Sequence, residues 1–163
     1  MVEERFEILA HMVWGIHGNV QRLKLQIAQE LDIKSVHVFL IYLLRNHPQG
    51  LTATELCEMS RSTEGLISRE TAELLKKGLI AVDKPSQNRR YRCKYLLTES
   101  GKTAANRISE FAMQVQSVVS AQIPREDLRV FYRTFGTLLE NFDRLTGQSP
   151  DALGNKDKGE QER

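Results

Sequence analysis

The chain has 163 residues, of which 40% are hydrophobic and 27% charged, with a formal net charge of +2. That length suits one domain with its own core, the composition excludes a largely disordered chain, and no apolar run reaches the ~18 residues a membrane span needs. Cys57 and Cys93 lie far apart with no metal-type spacing, so no disulfide framework is implied; the opening is acidic rather than basic before its apolar stretch, unlike a secretory leader, and the protein is expected in the cytoplasm.

The first predicted element, over residues 4–31, is one long helix or two joined helices. Phe6, Leu9, Val13, Ile16, Val20, Leu23 and Ile27 recur three and four apart, the spacing of one helical face. Gly15 and Gly18 interrupt it, as a kink or as a point where something approaches the backbone closely. A break follows at Asp32–Ser35, with Ser35 as N-cap. The second helix, VHVFLIYLLRN, is apolar nearly all round and is expected to be buried. His47-Pro48-Gln49-Gly50 ends it.

The third helix is short and starts at Thr52. Thr52 and Glu55 have the spacing of a capping box, in which each side chain satisfies the other residue's exposed backbone donor. After the polar turn Ser60–Thr63, a fourth helix runs to about Lys77. Its apolar face holds Leu66, Ile67, Thr71, Leu74 and Leu75, and Gly78 stands where a C-cap glycine belongs. The period then changes to two. Leu79, Ile80 and Val82 form one strand, residues 83–90 a polar loop, and Tyr91, Cys93, Tyr95 and Leu97 the inward face of a second strand. Cys57 and Cys93 both read as buried structural cysteines, since free cysteine behaves as a small hydrophobe.

A fifth helix runs from Thr98 or Ser100 to about Ala121. A sixth begins at Pro124, with Glu126 and Asp127 in the first turn, where the helix dipole favours acids. Leu128, Phe131, Phe135, Leu138, Phe142 and Leu145 form a heptad-like seam along it, which asks for a partner helix. Residues 147–163 are polar and Gly-rich and are expected to be disordered. The whole reads as a mainly α fold with a small β-hairpin wing: a single domain over 1–146, with a winged helix-turn-helix lobe at 35–98.

Charge is concentrated in that lobe. Residues 61–94 hold nine basic and four acidic groups, a net of +5 in a chain of net +2, so the remainder sums to −3. A basic segment in an otherwise acidic chain suits a polyanion. Arg61, Ser62, Thr63, Ser68 and Arg69 cluster at the start of the fourth helix, where hydroxyls and free N–H groups suit phosphate oxygens. Arg69 has the reach for a two-pronged contact with a guanine edge. Lys84, Arg89, Arg90 and Arg92 place basic groups in the wing, where Arg89 and Arg90 at the loop tip have the reach to run along the backbone or to enter a narrow minor groove, whose negative potential favours arginine.

At these residues the chain resembles the MarR family of winged helix-turn-helix transcriptional regulators. Leu66-Ile-Ser-Arg-Glu-Thr-Ala-Glu-Leu-Leu-Lys-Lys-Gly-Leu-Ile80 is similar to that family's recognition helix, and Leu97-Thr-Glu-Ser-Gly101 to its junction after the wing. The six-helix order covers residues 4–146. The resemblance implies a homodimer joined through the first, fifth and sixth helices (residues 4–31 and 99–146), binding double-stranded DNA at a near-palindromic operator, most often as a repressor. It matches Ser68 and Arg69 to the family's Ser-Arg pair, and Arg89 and Arg90 to its basic wing pair. It also implies a pocket for a small aromatic or lipophilic effector, for which Trp14 with His11 and His17 is the candidate lining; dimer-core packing is the plainer role for Trp14. The chain departs from the family at Asp83-Lys84-Pro85, which lacks the wing's usual arginine, at Asn88, where an acid is common, and at Glu64, which repels phosphate unless it accepts from a cytosine amino group.

Other chemistry has little support. His11, His17, His37 and His47 show no HExxH spacing, so core, capping or surface roles are expected and no metal or cofactor is predicted. No Walker loop, GxGxxG or GxSxG is present, so the chain is not read as an enzyme. The alternative to a DNA reader is a winged helix that holds another protein.

Overall fold

The computed structural model describes residues 2–83 and 93–147. Six helices and one hairpin follow in order: α1 Val2–Glu30, α2 Ser35–Asn46, α3 Ala53–Ser60, α4 Glu64–Lys76, β1 Ile80–Asp83, β2 Lys94–Leu97, α5 Glu99–Val119 and α6 Arg125–Leu145. The chain forms two compact units, Met1–Gln114 and Val115–Arg163. The fold is the mainly α winged helix expected. The tail from 148 and the wing tip at 84–92 lie outside the described residues.

The core of the first unit gathers one face from each element. Ile27 comes from α1, Leu40, Ile41 and Leu44 from α2, Leu56 from α3, Ile67 and Leu74 from α4, Ile80 from β1, and Ala105 and Ile108 from α5. Burying a side chain of this kind is worth ~1.5–3 kcal/mol against leaving it in water. Only the C-terminal end of α1 joins this core, through Ile27 and Ala28, while Phe6, Met12, Trp14, Ile16 and Val20 stay exposed.

Several local expectations change. Gly15 and Gly18 do not break α1, which is continuous, and among the described residues no other part of the chain comes within 4 Å of a Cβ at either. Lys34, not Ser35, is the N-cap of α2; its extended backbone lets its N–H donate to His37 Nδ1 at 3.4 Å. α2 is buried on one side only, because Phe39 and Tyr42 face outward. Cys57 is half-buried, as a packed cysteine should be, but Cys93 is exposed. It precedes the first paired residue of β2, and inward alternation starts only where a strand is paired.

The hairpin pairs antiparallel, from Ile80 opposite Leu97 to Asp83 opposite Lys94. Its base is held twice. Leu51, after the α2–α3 turn, exchanges both backbone hydrogen bonds with Tyr95, at 3.1 and 2.8 Å. At the other end Thr98 Oγ1 donates to the Gly78 carbonyl at 2.6 Å and accepts from Gly101 N–H at 3.1 Å, while Thr98 N–H donates to the Leu79 carbonyl. Gly101 is needed at this junction. A Cβ there would lie 1.9 Å from the Leu79 carbonyl oxygen, inside any permitted contact.

In the second unit, α6 is strongly amphipathic, yet none of its residues is buried. Phe131 stacks on Phe135 with ring centroids 5.5 Å apart. Gln116 Nε2 donates to the Tyr132 hydroxyl at 3.1 Å.

Candidate nucleic-acid interface

The helix-turn-helix is α3, a three-residue turn and α4. Thr52 and Glu55 form the capping box read from the sequence: Glu55 N–H donates to Thr52 Oγ1 at 3.2 Å and Thr52 N–H to Glu55 Oε2 at 2.7 Å. Arg61 closes α3 in the left-handed region, at φ 52°. Its N–H and that of Ser62 donate to the Glu58 and Cys57 carbonyls. The Ser62 hydroxyl donates to the Ser60 carbonyl at 3.3 Å. Thr63 is the N-cap of α4, its oxygen accepting from Leu66 N–H at 3.4 Å. Part of the polar cluster thus builds the turn that aims α4.

α4 has two distinct faces. Ile67, Glu70, Thr71 and Leu74 are buried. Gly65, Ser68, Arg69, Ala72 and Lys76 are exposed and recur three and four apart, so they share the opposite side. Gly65, Ser68 and Ala72 on this face are small, and Arg69 and Lys76 are its long side chains. Such a surface lets a helix backbone sit close to a groove floor while one side chain probes further. Of the predicted contact residues, Arg61, Ser62, Thr63, Ser68 and Arg69 come together along the turn and the first half of α4. Lys84, Arg89, Arg90 and Arg92 lie outside the described residues.

Sequence reasoning missed the polar joint beneath α4. Glu70 is buried against α2. Its Oε2 accepts from His37 Nε2 at 3.0 Å and from Lys34 Nζ at 3.1 Å. Its Oε1 accepts from Arg69 Nε at 2.9 Å. Lys34 also donates to Glu73, and Lys77 Nζ donates to the Asp32 carbonyl at 2.7 Å. The α1–α2 junction therefore grips α4 along its length through charge. Glu70 falls on the Ile67–Leu74 period, and a carboxylate on a core stripe requires buried partners. That signal is present in the sequence, though the partner's identity is not.

His37, Glu70 and Glu73 bring possible metal-ligand atoms within 4.8 Å of one another, so carboxylates surround a histidine although the sequence spacing does not suggest it. The local chemistry favours an ion-paired joint. The Lys34 ammonium already pairs with both carboxylates, and the Arg69 guanidinium supplies a second positive charge to Glu70. His37 Nδ1 accepts from the Lys34 amide, which leaves Nε2 protonated and donating rather than free to ligate.

Burial lowers the His37 pKa from its ordinary 6.5, outweighing the Glu70 carboxylate. Burial works to raise that of Glu70, but the hydrogen bonds from Arg69, Lys34 and His37 prevail and hold it below 4.5. Both folded values lie under their unfolded ones, so in both windows the unfolded state binds more protons and stability falls on acidification. We expect His37 to cost stability as the pH drops below 6.5, and Glu70 to add to the loss below 4.5. Denaturant midpoints measured across this range check it; the His37→Gln variant should lose the upper limb, and an unchanged limb would assign it to another group.

His11, Trp14 and His17 follow one another along exposed α1, and Trp14 is 82% accessible. Elsewhere, Leu44 and His47 at the end of α2 line an open pocket of about 390 Å³ with Leu96, Leu97 and Ala105. No helix among the described residues is long and apolar enough to cross a membrane.

Helix-turn-helix, pinned hairpin and flanking long helices together define a winged helix-turn-helix protein. Its fold is that of the MarR-family regulators. A putative MarR family regulator from Listeria monocytogenes, complexed with a 26mer DNA, superposes with a TM-score of 0.76 at 17% identity, over 92% of this chain and 97% of that one. A MarR regulator from Methanosarcina mazei Go1 gives 0.73 at 15% identity, over 85% and 99%. MepR from Staphylococcus aureus, in a DNA complex, gives 0.72 at 19% identity, over 82% and 95%. No family model and no curated protein matches the sequence.

Proposed function

We propose that the chain is a sequence-specific, double-stranded-DNA-binding transcriptional regulator, a repressor that acts as a homodimer on a near-palindromic operator in the cytoplasm. The observation that carries this is the outward face of α4: Gly65, Ser68 and Ala72 beside an exposed Arg69, on a helix whose other side is locked into the core. Two of the similar folds were determined with DNA. The basic wing residues supply a second, sequence-independent hold on the phosphates.

Dimerisation is supported by what remains unburied. The α6 residues Phe131, Leu138, Phe142 and Leu145 are exposed, as are Phe6, Trp14, Ile16 and Val20 of α1. Apolar surface in such continuous stripes marks a protein interface, and a second copy supplies the partner helix that the heptad spacing of α6 calls for. Residues 1–146 then act as one MarR-like domain, with two lobes reading half-sites about one helical turn apart. Release from DNA by a small aromatic or lipophilic effector belongs to the same reading, with His11, Trp14 and His17 as its candidate contacts.

Selection of duplexes from a randomised pool, followed by binding titrations, tests the reading. Arg69→Ala should erase preference at one base pair per half-site, worth ~1–3 kcal/mol. Arg89→Ala with Arg90→Ala should weaken binding to every duplex and reduce the salt slope by about one unit for each phosphate that the wing no longer neutralises. If the wild-type protein retains no duplex even at low salt, the lobe holds another protein instead.

A further inference from the structure

Arg69 is exposed, with 64% of its side chain accessible, yet its Nε is bound to a carboxylate only 3% accessible. Adjacent residues on a helix do not normally face each other, so Arg69 must fold back over α4 to reach Glu70. Glu70 in turn has no freedom to follow it. His37, itself fully buried, holds Oε2 from one side, and Lys34 holds it from another. Both lie at the start of α2, more than thirty residues away in sequence.

We propose that Glu70 is a positioning residue for DNA reading, which clamps Arg69 by Nε so that only the two terminal nitrogens are presented to a base edge. The inference rests on the DNA-reading role proposed for Arg69 and adds its geometry. A guanidinium can grip O6 and N7 of guanine end-on, through its two terminal nitrogens, or side-on, through Nε and one of them. With Nε taken by Glu70, the end-on mode is left. Holding the side chain in advance also removes the ordering cost of one long flexible chain, an effect of about two- to twelvefold in affinity. Lys34 and His37 anchor the clamp to the α1–α2 junction.

The test is a double-mutant cycle on the duplex selected by the wild-type protein, with every base pair varied in turn. Arg69→Ala identifies the position it reads. Glu70→Leu should lower discrimination at that position about two- to twelvefold, leave other positions and the salt slope unchanged, and have no further effect when Arg69 is already alanine. An equal effect of Glu70→Leu in both backgrounds, or a uniform loss at all positions, would make Glu70 purely structural and overturn the clamp. Should Glu70→Leu not fold, Glu70→Gln takes its place, since it keeps the volume but weakens the grip on Nε. In the free protein, ¹⁵N spectra should show the Arg69 Nε proton protected from exchange, and Glu70→Gln should release it; an unprotected proton in the wild type also sinks the proposal. If Arg69→Ala alters no position, the reading role of Arg69 itself fails, a result separable from the clamp because the exchange measurement needs no DNA.

Discussion

Gly101→Ala is expected to destabilise the lobe by ~3 kcal/mol or more, at the upper end of what overpacking does. The added methyl carbon would stand 1.9 Å from the Leu79 carbonyl oxygen and 3.2 Å from a Leu97 methyl group. The first neighbour is backbone and cannot turn away as a side chain can. Relief requires α5 to back off from the hairpin, and that movement breaks the Thr98 hydrogen bonds with Gly78 and Gly101. Urea titration followed by circular dichroism measures the change. A variant within ~0.5 kcal/mol of the wild type, the range of an ordinary surface change, would mean that the junction slides freely. Gly65→Ala is the matched control: that site is also helical, but a Cβ there meets nothing within 4 Å, so it should be neutral or slightly stabilising.

The second large effect concerns assembly. Replacing both Phe131 and Phe142 by Asp should yield a monomer of 18.7 kDa in light scattering, where the wild type is expected at twice that mass. DNA affinity should fall about 10²–10⁴-fold, the advantage that linking two binding modules confers. Because no residue of α6 is buried within the chain, the helical content of the monomer should change little. A dimer that persists with unaltered affinity would move the interface off α6.

Much of this architecture is readable because it is local. The Thr52–Glu55 box, the glycine after α4, and the change of period from helix to strand at residue 79 each depend on neighbours within four positions. The departures have a common cause. Alternation places Cys93 inward, but alternation has meaning only where a strand is paired, and pairing begins at Lys94. The all-round apolar character of α2 places Phe39 and Tyr42 inside; the core has room for one side only. The joint of Lys34, His37 and Glu70 is illegible for a different reason. Glu70 on the core stripe of α4 signals a buried partner, but Lys34 and His37 are ordinary in their own segment, and only the packing of α2 on α4 makes the three one unit.

The proposed contact residues divide in the same way. Motif and position pick out Ser68 and Arg69, which lie exposed on α4. They find Thr63 too, though its oxygen serves as the cap of α4, which leaves only its hydroxyl proton for a phosphate. Glu70 escapes notice because acids normally count against DNA binding, whereas here the acid is turned inward and acts through its arginine neighbour.

The two faces of α4 have a consequence for how such a protein can diverge. What holds the lobe together lies on one side of the helix and the proposed reading face on the other, so a change at Gly65, Ser68 or Ala72 leaves the core untouched. Duplicated copies could drift to new target sequences through these positions with no intermediate that fails to fold. Glu70 is the exception, the one residue that belongs to both sides at once. A lineage that altered it would loosen its bonds with Lys34 and His37 as well as its hold on Arg69, so the joint is a brake on an otherwise freely variable face.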